Sequence, residues 1–205
     1  MELYGEFLSN SSLRIKLIEK SCKDYSEFQK KRLEAYSDKV DEYTVLFLKG
    51  FGNDVELTSC FREALFNSRE LLDSLLYHLN KKTGRTSKKF LLFAKKLMSG
   101  EYDDLGLEII TFLKVNINYI FHIRKIRNEA KINLSNIRFR LLTNRIEAYL
   151  NIPINADELE LIQYLDVPNK QQVVEQRQYA YVIILDKYLP ELLEFWESVF
   201  DLMKE

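Results

Sequence analysis

Four cations crowd the end of the most apolar long segment of the chain. They are Arg124, Lys125, Arg127 and Lys131. Arg127 follows Ile120 and Ile123 at helical spacing, so it falls on the line of apolar side chains along a helix. A guanidinium at such a position can bind a carboxylate or a phosphate through two parallel hydrogen bonds. The spacing therefore predicts that Arg127 is at least half buried and paired with an anionic group.

Carboxylates that could pair with Arg127 occur on an earlier amphipathic segment. Glu70 and Asp73 share one face of a predicted helix with Phe66 and Tyr77. Either carboxylate can orient a neighbouring arginine, and a buried cation without a partner would be costly. Two other interpretations stay open. The carboxylates face water, or Arg124, Lys125 and Lys131 complement the negative end of their helix dipole. The dipole does not explain Arg127 equally well, because a surface cation would not need the apolar line.

The supply of residues excludes several kinds of catalytic and metal site. The chain has two histidines, His78 and His122, and neither has a second metal ligand at helical spacing. The sequence contains no glycine-rich phosphate loop, no GxSxG and no dinucleotide motif. Cys22 and Cys60 lie at apolar positions of helical patterns without CxxC spacing, which predicts buried free thiols. We expect no metal and no cofactor.

The charge balance restricts where an anionic ligand could bind. The 205 residues include 30 basic and 31 acidic ones, which gives a formal net charge of -1. Any affinity for nucleic acid is therefore local and not a property of the whole surface. Residues 1–10 lack the basic start of a signal peptide, and no window has the roughly 18 apolar residues of a membrane span. We expect a cytoplasmic protein that does not bind membranes.

Helical periodicity dominates the sequence and predicts a single all-α domain over residues 1–205. Its central element is a hydrophobic helix over 105–133. The other helices form a bundle around it. They include one over 58–82 and a short one over 87–98.

The last third of the chain is less uniform. Residues 136–150, NIRFRLLTNRIEAYL, are compatible with a small β-hairpin or with a helix. A helix begins at about Gln172 and is interrupted at Pro190, which fits the first turn of a final amphipathic helix. That final helix directs Leu192 and Trp196 inward.

The first fifty residues predict one long amphipathic helix. It runs from about Ser12 to Leu48, with a cap at residues 10–12 and a stop at Gly50 and Gly52. Its length would be about 50 Å, so it either projects from the bundle or folds back along the same core. A projecting apolar stripe needs a partner, and we expect a homodimer.

Two segments of the chain resemble HEPN-like helical domains. One is FREALFNSRELLDSLLYHLNKKTG, residues 61–84, with the pattern R-x-x-L-D. The other is YIFHIRKIRNEAKIN, residues 119–133, with the pattern I-R-x-I-R-N. The resemblance implies that Arg127 and Asn128 form the family's R-N pair, and that the HEPN-like core spans 58–133. It also implies an acidic position on the neighbouring helix, filled by Glu70 or Asp73.

The histidine of the family motif is absent. In active members a histidine follows the arginine of R-N by four to six residues, and the two act on RNA at a dimer interface. Asn133 stands six residues after Arg127, and no histidine follows His122. An asparagine amide does not titrate, and losing an acid or base forfeits a factor of about 100 to 10,000 in rate. We therefore expect a non-catalytic HEPN-like module that dimerises and binds RNA or a protein partner. The residues expected to make the contacts are Arg124, Arg127, Asn128, Lys131 and Asn133.

Two alternatives belong to other functional classes. A metal-independent endoribonuclease of toxin or phage-defence type would use Asn133 or His122 in place of the missing histidine. His122 lies about 140° from Arg127 around the helix, so it would have to come from a second subunit. A helical protein-interaction scaffold would use the N-terminal helix alone. Arg127 would then be a structural cation paired with Glu70 or Asp73.

Overall fold

Helices make up most of the described chain, and a small antiparallel sheet accompanies them, in agreement with the predicted class. The computed structural model describes residues 2–36, 46–48, 55–84, 90–105, 107–132, 138–142, 145–167 and 169–204. Buried side chains from the helices and the sheet form one hydrophobic core. None of the helices in these ranges combines the length and apolar character needed to cross a membrane.

The first two helices pack antiparallel along most of their length. Helix α1 is Glu2–Tyr36 and helix α2 is Val55–Thr83. At one end of the pair, the rings of Phe7 and His78 lie 5.6 Å apart. At the other, a guanidinium nitrogen of Arg32 lies 3.0 Å from a carboxylate oxygen of Glu56. Helix α1 therefore folds back along the core and does not project from it.

The ends of α1 differ from the prediction. The helix begins ten residues before Ser12 because Phe7 is buried and continues the apolar stripe toward the N-terminus. The predicted cap at residues 10–12 consequently lies inside the helix. The predicted C-terminal part includes a strand, β1, at Leu46–Leu48. Residues 37–45 and the predicted stop at residues 50–52 lie outside the described residues.

The central apolar segment forms two consecutive helices where the sequence predicts one. Helix α3 is Phe90–Met98, α4 is Leu107–Val115 and α5 is Ile117–Ile132. Asn116 separates α4 from α5. Its backbone N–H keeps the helical hydrogen bond to the Phe112 carbonyl at 3.0 Å, while its side-chain Nδ2 competes for the same oxygen at 2.9 Å. Ile110, Leu113 and Ile120 are fully buried, so the segment is central as predicted.

Residues after α5 form strands. Strand β2 is Arg138–Leu142, β3 is Arg145–Pro153 and β4 is Gln178–Ile184. The four strands pair antiparallel in the order β1-β2-β3-β4. Residues 136–150 therefore contain the hairpin and not the helix. Buried Phe139 and Leu141 alternate with Arg138 and Arg140, as expected for a sheet with one face on the core.

The prediction of one helix from Gln172 to Pro190 is wrong. Two short helices, α6 at Leu159–Ile162 and α7 at Lys170–Gln176, precede strand β4. Helix α7 ends at Arg177, whose backbone is left-handed with φ of 53°. Strand β4 then places Tyr179 opposite Ile152 and Ile183 opposite Ala148. More buried and more exposed side chains largely alternate over residues 178–184, which is typical of an edge strand and not of a helix.

The last helix, α8, is Leu185–Leu202. Pro190 lies in its second turn and not in its first, because the helix begins directly after β4. Leu192 and Trp196 are fully buried, as predicted. Helix α8 covers α1, and the Tyr25 hydroxyl of α1 donates to the Asp186 carboxylate at 2.5 Å. The sheet and α8 thus hold α5 and α1 in fixed positions.

Candidate functional site

An arginine on α2, to which the sequence analysis gives no role, lies at the centre of the candidate site. Arg69 is the first residue of the R-x-x-L-D pattern, and its side chain is only 12% exposed. Its Nη1 atom lies 2.9 Å from the Asp73 carboxylate, one turn further along α2. Nη1 nevertheless has no aligned hydrogen-bond acceptor among the described residues. The four-residue spacing of arginine and aspartate was the signal that could have identified this pair.

Two arginines of α5 add their charges to this pair. The pKa of Arg69 is lowered to about 10, mainly by burial and then by the positive charges of Arg124 and Arg127, while the carboxylates of Asp73 and Glu70 oppose this shift. Burial also lowers the pKa of Arg124, whose guanidinium lies 5.1 Å from the centre of the Phe90 ring. Arg69, Arg124 and Arg127, here called the arginine cluster, thus repel one another in a partly buried setting.

The carboxylates expected to pair with Arg127 are engaged elsewhere. Glu70 lies 3.4 Å from Arg14 of α1, and Asp73 lies beside Arg69. Arg127 is partly buried, as expected. No carboxylate of the described chain lies within 4 Å of Arg127. Asp73 pairs with Arg69 on the same helix, and Glu70 pairs with Arg14 of α1. The arginine cluster therefore carries more positive charge than Asp73 can neutralise, and burial raises the pKa of Asp73 itself.

A groove runs beside Arg127 between α1, α2 and α5. Its volume is about 780 Å³. Arg14 and Arg62 add further cations to its walls, and Glu63 is the acidic residue among them. Phe66 lines the same groove, and half of its side chain is exposed. The groove thus combines cations with an accessible aromatic ring.

The other predicted contact residues are only partly described. Arg124 belongs to the arginine cluster, and Asn128 is partly buried near the end of α5. Lys131 belongs to α5, but its side chain lies outside the described residues, and so does the whole of Asn133. The structure thus brings Arg124 and Arg127 together with Arg69 and leaves Lys131 and Asn133 as predictions.

One cation of the α5 series has a structural role. Lys125 is buried, and its Nζ donates to the two carboxylate oxygens of Glu158 at 2.9 and 3.3 Å. Glu158 also accepts a hydrogen bond from the backbone N–H of Asn155, which caps the turn after β3. Lys125 therefore anchors α5 to the segment between β3 and β4 and does not contribute to the candidate site.

His122 is part of the core and lies apart from the arginine cluster. Its Nε2 lies 2.5 Å from the Tyr179 hydroxyl, and its ring stacks on Tyr181 with centres 4.1 Å apart. Burial lowers the pKa of His122 to about 4. The imidazole is therefore neutral near pH 7 and is held by β4.

The thiols and the remaining acidic groups offer little further chemistry. Burial raises the pKa of both Cys22 and Cys60 to about 11, so neither is a reactive thiolate near neutral pH. Cys22 donates to the Leu189 carbonyl of α8. Within the described ranges, no group of three His, Cys, Asp or Glu side chains could hold a metal ion.

What this site can do follows from its charge. A partly buried excess of guanidinium groups, beside an open groove, favours an anionic ligand with several oxygen acceptors. No family model, no curated protein and no solved structure matches this chain.

Proposed function

We propose that the protein is a non-catalytic HEPN-like module that binds single-stranded RNA along the groove between α1, α2 and α5. The observation that carries this proposal is that the positive charges of Arg69, Arg124 and Arg127 act together at Asp73. Glu70, the other carboxylate that acts on Arg69, is paired with Arg14. An RNA phosphate would supply the negative charge that the described protein groups do not. The chain as a whole is slightly acidic, so this attraction is local.

Phe66 supports single-stranded RNA over duplex as the ligand. Its ring is half exposed in the groove that Arg127 lines. An unpaired base can stack on such a ring while neighbouring cations hold the backbone, a combination typical of single-strand binding. A duplex keeps its bases stacked on each other and gains nothing from an aromatic wall.

The protein is proposed to be non-catalytic because neither residue that could replace the motif histidine is suited to take up a proton. Metal-independent cleavage needs a group that takes the 2'-hydroxyl proton near neutral pH. His122 is neutral there, but it is buried against β4 and bonded to Tyr179. Asn133 carries an amide, which does not titrate.

The test measures the binding of a fluorescently labelled, unstructured RNA of about 20 nucleotides in the presence of a metal chelator. The wild type should bind with strong salt dependence and leave the RNA intact. Arg127→Ala should weaken binding by about three- to tenfold and reduce the salt slope by about one. Arg127→Lys should recover the slope but not the full affinity, because an ammonium lacks the fork of a guanidinium.

Matched variants separate this site from general electrostatics. Lys187→Ala removes an exposed cation from α8, outside the groove, and should leave binding nearly unchanged. Phe66→Leu keeps the apolar wall but removes the stacking surface, and should weaken binding to RNA more than to a phosphate polymer without bases. RNA cleavage that Arg127→Ala abolishes would favour the endoribonuclease alternative. Absence of RNA binding in every variant would favour the protein-interaction scaffold.

Homodimer formation is the second part of the proposal. Helix α1 folds back on the core, so the support for a dimer is Leu13 of α1, which is largely exposed. Light scattering at micromolar concentration should give twice the chain mass of 24.4 kDa. Leu13→Glu should shift the species toward one chain, whereas Leu92→Glu, an exposed leucine of α3, should not. A wild type of single-chain mass at these concentrations would contradict the dimer.

A further inference from the structure

A second pocket, separate from the arginine cluster, lies between α8 and the junction of α4 and α5. Its volume is about 310 Å³, at the lower end of the range for small-ligand sites. Three aromatic side chains, two glutamates and one asparagine contribute to its walls. They are Phe112, Tyr119, Phe195, Glu191, Glu194 and Asn116. The described residues of this lining include no lysine or arginine, in a chain with 30 basic residues.

The aromatic walls are held in a fixed arrangement. The rings of Phe112 and Phe195 lie 5.5 Å apart with an angle of 31° between their planes. The ring of Tyr119 lies 5.3 Å from that of Phe195. Phe195 is buried, while Phe112 and Tyr119 are partly exposed. Aromatic rings carry negative π faces, to which a cation in the pocket would be attracted.

The polar groups of the pocket favour a ligand that donates hydrogen bonds. Glu191 and Glu194 lie one turn apart on α8 and are exposed, and no described cation lies within 4 Å of either. Asn116 uses its Nδ2 for the Phe112 carbonyl, which leaves its Oδ1 as an acceptor. The buried hydroxyl of Tyr119 has no hydrogen-bond partner among the described residues. The pocket thus has several acceptors and no fixed positive charge.

The negative charge of Glu191 affects the pKa of two tyrosines, Tyr119 and Tyr181. Burial is the main reason for the raised pKa values of Tyr119 and Tyr181, and the charge of Glu191 raises both further. Glu191 therefore acts on the interior of the pocket as well as on the solvent. An anion in this place would meet the same repulsion that these phenols meet on ionisation.

We propose that this pocket binds an alkylammonium group. The ammonium N–H groups donate to the carboxylates of Glu191 and Glu194, and the attached methylenes lie against Phe112, Tyr119 and Phe195, whose π faces also attract the cation. The ammonium group belongs either to a free aliphatic amine or to a lysine side chain of another protein. Residues one helical turn apart are about 5–6 Å from each other, a spacing that a short diamine can span.

The experiment uses the full chain with 1,4-diaminobutane as the probe and 1,4-butanediol as its uncharged counterpart. Amide chemical shifts are followed by NMR during each titration. The diamine should shift amides around Phe112, Asn116 and α8, and the diol should not. Glu191→Gln and Glu194→Gln, which keep the side-chain shape, should each weaken diamine binding by about three- to tenfold. Phe112→Leu should weaken it by a similar factor.

The control variant is Glu197→Gln, which removes an exposed carboxylate from the same helix but outside the pocket lining. It should leave diamine binding unchanged. A second titration uses a short lysine-containing peptide and the same peptide with the lysine acetylated. Binding of the peptide alone, lost on acetylation and in Glu191→Gln, identifies a protein lysine as the source. Equal weakening by Glu197→Gln, or no binding of diamine or peptide, overturns the proposal. These outcomes do not depend on RNA binding at the arginine cluster.

Discussion

Lys125→Ala is expected to destabilise the protein by about 3–5 kcal/mol, the cost of removing one partner from a buried ion pair. The Lys125 side chain is 5% exposed and that of Glu158 is 15% exposed, so water cannot replace the lost ammonium group easily. The variant leaves the Glu158 carboxylate with the backbone N–H of Asn155 as its remaining described donor. Chemical denaturation monitored by circular dichroism measures the difference.

A second lysine provides the matched control for Lys125→Ala. Lys114, in the last turn of α4, lies 2.6 Å from Asp103, but this pair is open to solvent. Lys114→Ala should therefore cost about 1 kcal/mol or less. A double variant, Lys125→Met with Glu158→Leu, should recover most of the stability, because an apolar pair avoids the unpaired charge. Similar losses for Lys125→Ala and Lys114→Ala would contradict the role assigned to the buried pair.

Neighbouring cations on α5 have different roles, and these roles could not be predicted from the sequence. Apolar periodicity correctly predicts that residues 105–133 are central, because a helix that is apolar on most sides has to be buried. The same periodicity predicts Arg127 as the buried and paired cation, whereas in the structure Lys125 is the one that is buried in an ion pair. Lys125 contacts a carboxylate that is 33 residues later in the chain, between β3 and β4. A contact of that kind depends on tertiary packing and not on local spacing.

The sheet illustrates the same limit. The hairpin of β2 and β3 is visible in the sequence because it is local, with a short turn between two alternating segments. Strand β4 pairs with β3 although more than 20 residues separate them in the sequence. Strand β1 precedes α2 in the sequence but pairs with β2, which follows α5. Period-two residues such as Tyr179 and Ile183 could have indicated a strand, but the helical pattern that begins at Gln172 dominated the prediction.

The candidate site was predicted in part. Arg127 follows from its place on an apolar line, and Arg124 from the group of cations that ends the same helix. Asp73 follows from the face it shares on α2. The way in which these residues pair does not follow from the sequence. Asp73 pairs with Arg69 on its own helix, which the four-residue spacing allows, and Glu70 pairs with Arg14 on α1. The excess positive charge at Arg127 appears only after α1, α2 and α5 are packed together.

The stability of the protein is expected to fall by about 2 kcal/mol between pH 7 and pH 5 through His122 alone. Burial holds the pKa of this histidine at about 4 in the folded protein, against about 6.5 in an unfolded chain. Between these two values the unfolded state binds a proton that the folded state does not, so acid favours unfolding. The contribution is fully present above pH 6.5 and is lost as the pH falls toward 4.

Comparison with His122→Phe isolates this effect from the other titrating groups. Phenylalanine keeps a ring next to Tyr181 but loses the hydrogen bond to Tyr179, so the variant should be less stable than the wild type at pH 7, by about 1 kcal/mol. Asp73 and Asp186 have raised pKa values, mainly through burial, and push stability in the opposite direction as acid is added. They do so in both proteins and cancel in the difference. The variant should therefore lose about 2 kcal/mol less than the wild type between pH 7 and pH 5, and the two stability curves should cross. Parallel curves over this range would mean that His122 takes up its proton in the folded state, and that its site against β4 opens to water.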